Sequence, residues 1–554
     1  MSHRSEINDF STHEVRNQSP PLQDYNLFDT DRTLKDAVGR EGADNAKDCL
    51  RALGQAAGSE NYISEGFLAN RHSPRLHPFS RTGARIDEVE FHPAYHRIMK
   101  LAMEHEVHSI AWRKDRPAGH VAHAALQYLL TQVEAGACCP MAMTYAAVPV
   151  LRQQQDIAVQ WEPRILSTQY DPRSIPVAEK SAATVGMAMT EKQGGSDVRA
   201  ATTRAYPAGA LGGGETYLLV GHKWFCSAPM SDAFLTLAYT EKGLSCFLAP
   251  RWRPDGTRNR IFLQRLKDKL GNRSNASAEI EYEHAFAWMI GEDGQGIQTI
   301  MEMVQHTRLD CAVAPAGMMR QAVVQAVHHA RHRRAFQKRL IDQPLMQNVL
   351  ADMILDSEAA TLLAMRVAGA VDEGEDDDEA RAFSRIAVAV AKYWNNKLLP
   401  NLTYEAMECF GGNGYVEESM MPRLYREAPV NSIWEGSGNV ICLDILRAVR
   451  KEPASLEAFI EQVDRARGSD KILDGAVDRL KDNLRGLSGA EREARILTEQ
   501  IATALQGSLM VQHAPDPLAE AFCRSRLSET SLRTYGTLPG DLGYQALIDR
   551  ADIT

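Results

Sequence analysis

Two short segments, more than two hundred residues apart, carry the side chains best suited to chemistry. Met189-Thr190-Glu191-Lys192-Gln193-Gly194-Gly195-Ser196-Asp197 follows the apolar run 182–189 and offers hydroxyls and glycine amides in a loop. Such a loop suits a polar ligand held by backbone N–H groups. Ile433-Trp434-Glu435-Gly436-Ser437-Gly438-Asn439 sets a lone carboxylate between an indole and a glycine turn. Partial burial there would raise the carboxyl pKa toward that of a working base.

These segments need elements to hold them. Residues 1–80 mix Pro, Asn and Asp turns with short helical pieces such as 34–38 and 46–53, which predicts an extension lying on a larger body. Residues 81–180 read as a helical domain: Tyr95, Ile98, Met99 and Ala102 share a face, and the small-residue run 142–151 suits deep packing. The period changes within 181–295, where 216–220, 233–239, 244–249 and 278–282 read as short strands, with a turn-rich hairpin tip at 209–214. Long helical segments fill 296–449, broken by the acidic run 372–379, which reads as a solvated loop because adjacent carboxylates repel and diverge. A helical region at 450–554 follows, with Leu473, Val477, Leu480 and Leu484 as its apolar stripe. The expected class is α+β, mainly α.

Trp224-Phe225-Cys226-Ser227 after Gly221-His222-Lys223, Arg333-Arg334-Ala335-Phe336, and Phe410-Gly411-Gly412-Asn413-Gly414-Tyr415 complete a set of five ordered motifs with the two segments above. In these residues the chain resembles the acyl-CoA dehydrogenase superfamily of flavoproteins. Lys192-Gln193-Gly194-Gly195, Trp434 beside Glu435, the run 267–277 and the long tail after Arg447 resemble its AidB-like, alkylation-response branch. The resemblance implies the family fold: a helical N-terminal domain, a central β domain and a C-terminal helical bundle, here with an added C-terminal helical domain.

It also implies FAD as cofactor and a homotetramer. Glu435 takes the place of the base that removes a proton beside a thioester carbonyl; helix capping, or contact with the flavin without proton transfer, are the competing readings. Met189, Thr190, Gly195, Ser196, Trp224, Phe225, Cys226, Ser227, Ile433, Trp434, Gly436, Ser437 and Asn439 fall at cofactor-contacting positions. Trp224 is expected near the isoalloxazine, and Trp434 as a pocket wall or simple packing. Arg333 is expected at the pyrophosphate of a neighbouring subunit's FAD, since a guanidinium fork matches paired phosphate oxygens, with Gln347, Gly411 and Gly412 continuing that surface. Thr190, Ser196, Ser227, Arg308 and Trp434 are the expected substrate contacts, with Arg308 near a CoA entrance. An acyl-CoA thioester is the expected substrate. Cys226 reads as packing rather than nucleophile, and His328 with His332 reads as exposed basic helix, so no metal is expected.

Hydrophobic residues at 44% and charged residues at 24% are globular values, and no apolar run reaches the roughly 18 residues of a membrane span. Residues 1–6 lack the features of a targeting signal, and nine scattered cysteines form no C-x-x-C pair, so a cytoplasmic protein with reduced thiols is expected. The AidB-like resemblance implies double-stranded DNA binding and a role in alkylation damage. The net charge of −10 confines any such binding to a local patch. Residues 451–554 hold 13 Lys and Arg against 17 Asp and Glu. Arg447, Arg450 and Lys451 form one candidate cluster, followed by Arg465 and Arg467, and Arg524 with Arg526 forms another; a helical surface in ion pairs with Asp464, Asp470, Asp478 and Asp482 is the competing reading. The leading function is an FAD-binding flavoprotein of the alkylation response that retains weak acyl-CoA dehydrogenase activity. The alternative is a metabolic dehydrogenase that oxidises a short or branched acyl-CoA at its α,β-carbons.

Overall fold

The computed structural model describes residues 7–113, 117–485, 491–528 and 534–553, so the stretch 1–6 read for a targeting signal lies outside it. Three helices open the chain, α1 (Arg32–Arg40), α2 (Lys47–Ala57) and α3 (Glu60–Arg71), before a two-stranded ribbon of β1 (Arg75–Phe79) and β2 (Arg85–Glu90). Asp31 caps α1, its carboxylate accepting from the Leu34 N–H at 3.0 Å, and Ser59 caps α3 in the same way. Four helices follow: α4 (Pro93–Glu104), α5 (Gly119–Thr131), α6 (Ala135–Arg152) and α7 (Gln155–Ile165). Tyr95, Ile98, Met99 and Ala102 share the buried face of α4, and almost the whole of α5 and α6 is buried.

The sheet contains β3 (Val185–Ala188), β4 (Arg204–Pro207), β5 (Thr216–Ser227), β6 (Ala233–Tyr239), β7 (Leu244–Pro250), β8 (Ile261–Leu266) and β9 (Ser277–Ile290). Its order is β3-β6-β4-β5-β9-β7, with β8 on β9, and β6 also pairs β7, so the strands curl into a nearly closed barrel. The β6 and β7 runs are almost entirely buried, which is why they read as continuous apolar stretches. A bulge lies between Lys223 and Cys226 where β5 runs along β9.

Three long helices form the scaffold: α8 (Gly296–His332), then the small hairpin β10 (Arg334–Ala335) and β11 (Lys338–Arg339), then α9 (Pro344–Glu373) and α10 (Asp378–Cys409). Short helices α11 (Gly412–Tyr415) and α12 (Met421–Glu427) lead to α13 (Gly438–Lys451). The C-terminal region adds α14 (Pro453–Asp464), α15 (Lys471–Arg485), α16 (Ala494–His513), α17 (Asp516–Phe522) and α18 (Tyr544–Ile548). Leu27, Phe28 and Leu34 near the start, and Leu473, Val477 and Leu480 near the end, pack into one hydrophobic core with α8, α9 and α10. The two ends of the chain also meet through polar groups. Arg550 donates to both carboxylate oxygens of buried Glu358 at 3.1 Å and to Thr33 Oγ1 at 2.8 Å.

Two expectations need correction. The acidic run is not wholly a solvated loop: Asp372 is half-buried and its carboxylate accepts from the His120 and Val121 N–H groups at 2.8 Å, capping the start of α5, while Glu373 pairs with Arg366. Nor do Arg524 and Arg526 form a phosphate-facing patch. Arg526 is largely buried against Asp352 and Asp356 of α9, and Arg524 pairs with Glu520 and Asp541.

Candidate functional site

Glu435 lies just before α13 with φ +55°. That left-handed conformation is uncommon outside glycine and persists only where neighbours hold it. Arg308 Nε donates to the Glu435 carbonyl at 3.1 Å, and Lys392 Nζ donates to the next carbonyl, that of Gly436. Two cations from different helices, α8 and α10, thus pin consecutive peptide groups. Thr307 Oγ1 donates to Glu435 Oε2 at 2.9 Å, Lys397 Nζ to Ser432 Oγ at 3.1 Å, and the Trp434 indole N–H to Asn431 Oδ1 at 2.7 Å. Gly436 takes φ +102°, and Ser437 is the N-cap residue of α13.

Burial pushes the Glu435 carboxyl above its ordinary range, against the Thr307 hydrogen bond and the charges of Arg308 and Lys392. Lys392 is itself buried and falls to about 8. A carboxylate made more basic by burial yet oriented by a hydroxyl has the properties of a general base. Arg308 is the residue expected near a CoA entrance. It is buried, and its guanidinium is occupied by Glu435 and by Asp444 at 3.3 Å, so it supports the loop from behind.

The Met189–Asp197 loop is organised by Glu191, a residue with no expected role among the site residues. Its buried carboxylate accepts from Lys223 Nζ at 2.9 Å, Thr203 Oγ1 at 2.6 Å and the Thr202 N–H at 2.7 Å. Burial opposes the charge, but Lys223 and these hydrogen bonds hold the carboxyl well below the usual range. Gly195 lies against Thr190: a Cβ there would meet Thr190 Oγ1 at 2.4 Å. The Thr190 carbonyl accepts from the Trp224 N–H at 2.7 Å, tying loop to strand. Thr190 and Met189 are half-buried, whereas Ser196 is exposed.

At the β5 bulge the Trp224 face is covered by Lys267, whose Nζ stands 3.2 Å from the ring centroid, while Phe225 remains 48% exposed. Phe225 therefore offers the freer aromatic surface, and the bulge accounts for the altered aim of both side chains. Cys226 is fully buried inside the sheet, so only its backbone can face a ligand. Ser227 lies 3.3 Å from Ser277 Oγ and beside the Cys139 thiol of α6. Burial pushes Cys139 up to about 12, and it feels the charges of Lys269 and Glu435. The end of β5, α6 and the Glu435 turn thus approach one another. Asn439 Oδ1 accepts from Arg495 Nε at 2.9 Å, and Ile433 is exposed.

Arg333, Gln347, Gly411 and Gly412 gather elsewhere. Arg333 ends α8, Gln347 lies in the first turns of α9, and the Gly411 turn is held by Phe410 stacking on His329 at 4.3 Å. The distance along α8 from Thr307 to Arg333 is roughly 39 Å. Gly411 (φ +61°) and Gly412 face open space, as do Phe336 and Tyr415, 92% and 81% exposed. Glu408 is exposed beside the Tyr404 hydroxyl, away from the arginines. His328 and His332 are each engaged with a backbone carbonyl, of Pro20 and His328 respectively.

The family model for the AidB N-terminal domain matches residues 17–172, that for the acyl-CoA dehydrogenase middle domain 186–285, and that for its C-terminal domain 294–450. AidB of Escherichia coli (strain K12) is 46% identical over 94% of this chain and 95% of its own length. The chain belongs to the acyl-CoA dehydrogenase family. Within that family it is AidB-like, and it is an FAD-dependent oxidoreductase acting on CH–CH groups. Acyl-CoA dehydrogenase family member 11 of Caenorhabditis elegans is 31% identical over 81% of this chain and 78% of its own. The solved C. elegans ACDH-11 complex with C11-CoA superposes with a TM-score of 0.85 at 28% identity, covering 95% of this chain and 96% of that one. The apo-form of Bd2924 gives 0.82 at 29% identity, covering 90% and 99%. The residues present suit FAD: hydroxyls and a close-packed glycine at the 189–197 loop, an open aromatic face at Phe225, and an arginine with uncrowded glycines at the far end of α8. Among the described residues no helix is long and apolar enough to cross a membrane.

Proposed function

We propose that Glu435 is the base that takes the α-proton of an acyl thioester, within an AidB-like flavoprotein. The observation that carries this is the Glu435 turn itself, a carboxyl made more basic by burial and oriented by Thr307, Arg308 and Lys392. FAD, when bound, supplies the acceptor for the electron pair that leaves with the β-hydrogen. Thr190, Ser196, Ser227 and Trp434 contact the substrate side; the 189–197 loop, Phe225 and Trp224 contact the flavin; and Arg333, Gln347, Gly411 and Gly412 serve the FAD of a neighbouring subunit in a homotetramer. The C11-CoA held by the C. elegans neighbour supports a thioester ligand. Anaerobic titration with straight and branched acyl-CoAs should bleach the flavin, at a rate that rises with pH through a midpoint above the ordinary carboxylate value of about 4.3. A panel that never bleaches it would remove the assignment. Rapid bleaching by one short or branched thioester would favour a metabolic dehydrogenase.

We further propose that this cytoplasmic protein binds double-stranded DNA and serves the response to alkylation damage. Arg447, Arg450 and Lys451 in the last turns of α13 are the supporting cluster, with the Arg447 side chain 62% exposed. The other tail cations are in ion pairs, as Arg447 is with Asp444: Arg467 pairs with Asp478, Lys481 with Asp464 and Arg485 with Asp482. Duplex affinity should fall steeply between 50 and 200 mM salt, and Arg447→Ala with Arg450→Ala should lower it about tenfold while FAD stays bound. Salt-insensitive binding would reject the cluster.

A further inference from the structure

The segment before α1 does something its composition does not announce. Asn17, at φ +58°, is bonded to the start of the β10–β11 hairpin on three sides. Its Nδ2 donates to the Arg334 carbonyl at 2.9 Å, its Oδ1 accepts from the Arg334 N–H at 2.7 Å, and its own carbonyl accepts from Arg333. Pro20, three residues on, accepts from His328 on the last turns of α8. The side chain of Asn17 therefore imitates a third strand beside Arg334, closing both backbone hydrogen-bonding groups of that residue. The hairpin it braces is short: each strand has two residues, and Phe336 and Gln337 at the tip are both in left-handed conformations. It is also held by Gln343 Nε2, which donates to the Ala335 carbonyl at 3.1 Å, and by the Leu340 N–H, which donates to that of Arg333 at 2.9 Å. Short isolated hairpins are marginal in water.

We propose that Asn17 is a positioning residue for the cofactor, locking the Arg333 hairpin in the attitude from which Arg333 reaches FAD. This rests on the reading of Arg333 as a pyrophosphate contact. Asn17 is exposed and touches no part of the core, so its loss leaves the fold intact while freeing the hairpin. A left-handed φ also favours Asn over other side chains at this place.

The test uses full-length protein, deflavinated and titrated with FAD by flavin fluorescence, alongside thermal unfolding of the apo-protein. Asn17→Ala should weaken FAD binding roughly fivefold to tenfold with apo-protein unfolding unchanged, and Asn17→Asp, which keeps only the acceptor, should fall between. Arg333→Ala should weaken it more, and adding Asn17→Ala to it should change little further, because both act on one contact. Wild-type affinity in Asn17→Ala beside a weakened Arg333→Ala would overturn the proposal and leave the Arg333 reading standing. Full additivity would also overturn it, placing Asn17 on another route. Unchanged affinity in Arg333→Ala would overturn the Arg333 reading and this inference with it.

Discussion

Glu435→Gln should bind FAD normally and lose about three orders of magnitude in the rate at which an acyl thioester reduces the flavin, roughly 4 kcal/mol of barrier. The amide cannot take a proton. Its oxygen can still accept from Thr307, and the backbone bonds from Arg308 and Lys392 do not involve the side chain, so the turn should keep its shape. Stability should move in the opposite direction. The Glu435 carboxyl is raised in the folded protein, so its contribution favours the fold below the unfolded carboxylate pKa and is lost as pH rises through the raised value. At neutral pH the wild-type protein holds an ionised carboxylate in a site that prefers it neutral. Thermal unfolding should therefore find Glu435→Gln at least as stable as wild type at pH 7, with that advantage gone in acid. Undiminished flavin reduction would end the assignment of Glu435 as base, whatever the stability shows.

The second large effect belongs to Arg526. Its guanidinium joins Asp352 and Asp356 of α9, both almost fully buried, while Tyr535 and the Gly536 N–H complete their hydrogen bonds at 2.8 and 2.9 Å. Arg526→Met would leave two carboxylates facing one another without a cation. Removing one partner from a buried pair costs about 3 to 5 kcal/mol. The loss should appear as loosening of α16 and α17 from α9, so limited proteolysis at neutral pH should cut the C-terminal region first while FAD is retained. The defect should shrink in mild acid, because protonating a carboxylate relieves the repulsion. An unchanged digestion pattern would mean that the apolar packing of the tail suffices to hold it.

The sequence discloses features whose partners are close in the chain and hides those whose partners are far. The β6 and β7 runs, the α4 face and the α15 stripe are legible because burial follows a short period. The two chemical segments are legible because each is a contiguous turn. Lys392 could have been noticed as a lone charge ending the apolar stretch 386–391, yet its target, the Gly436 carbonyl, lies on another element. Thr307 carries no signal of its own. Asp372 reads as one of many solvated acids because the amides it caps belong to residues about 250 positions earlier. Arg526 reads as a phosphate-facing cation because its two aspartates lie about 170 residues away. Trp224 and Phe225 are adjacent, and only the bulge and the distances from Lys267, 3.2 Å and 4.8 Å, set how closely each ring is covered.

The junction of Arg550 with Glu358 and Thr33 bears on how the protein is made. A ribosome must add the 192 residues that separate Glu358 from Arg550 before the carboxylate finds its cation. At about 5 to 20 residues per second that delay is roughly 10 to 40 s. Throughout it, Glu358 is better off hydrated than buried, so the nascent α9 has a reason to stay apart from the N-terminal helices. The turn that carries Arg550 therefore acts as a latch on α9 and α1, and the interval before it closes is when the unfinished helical core is most open to chaperones and to its neighbours.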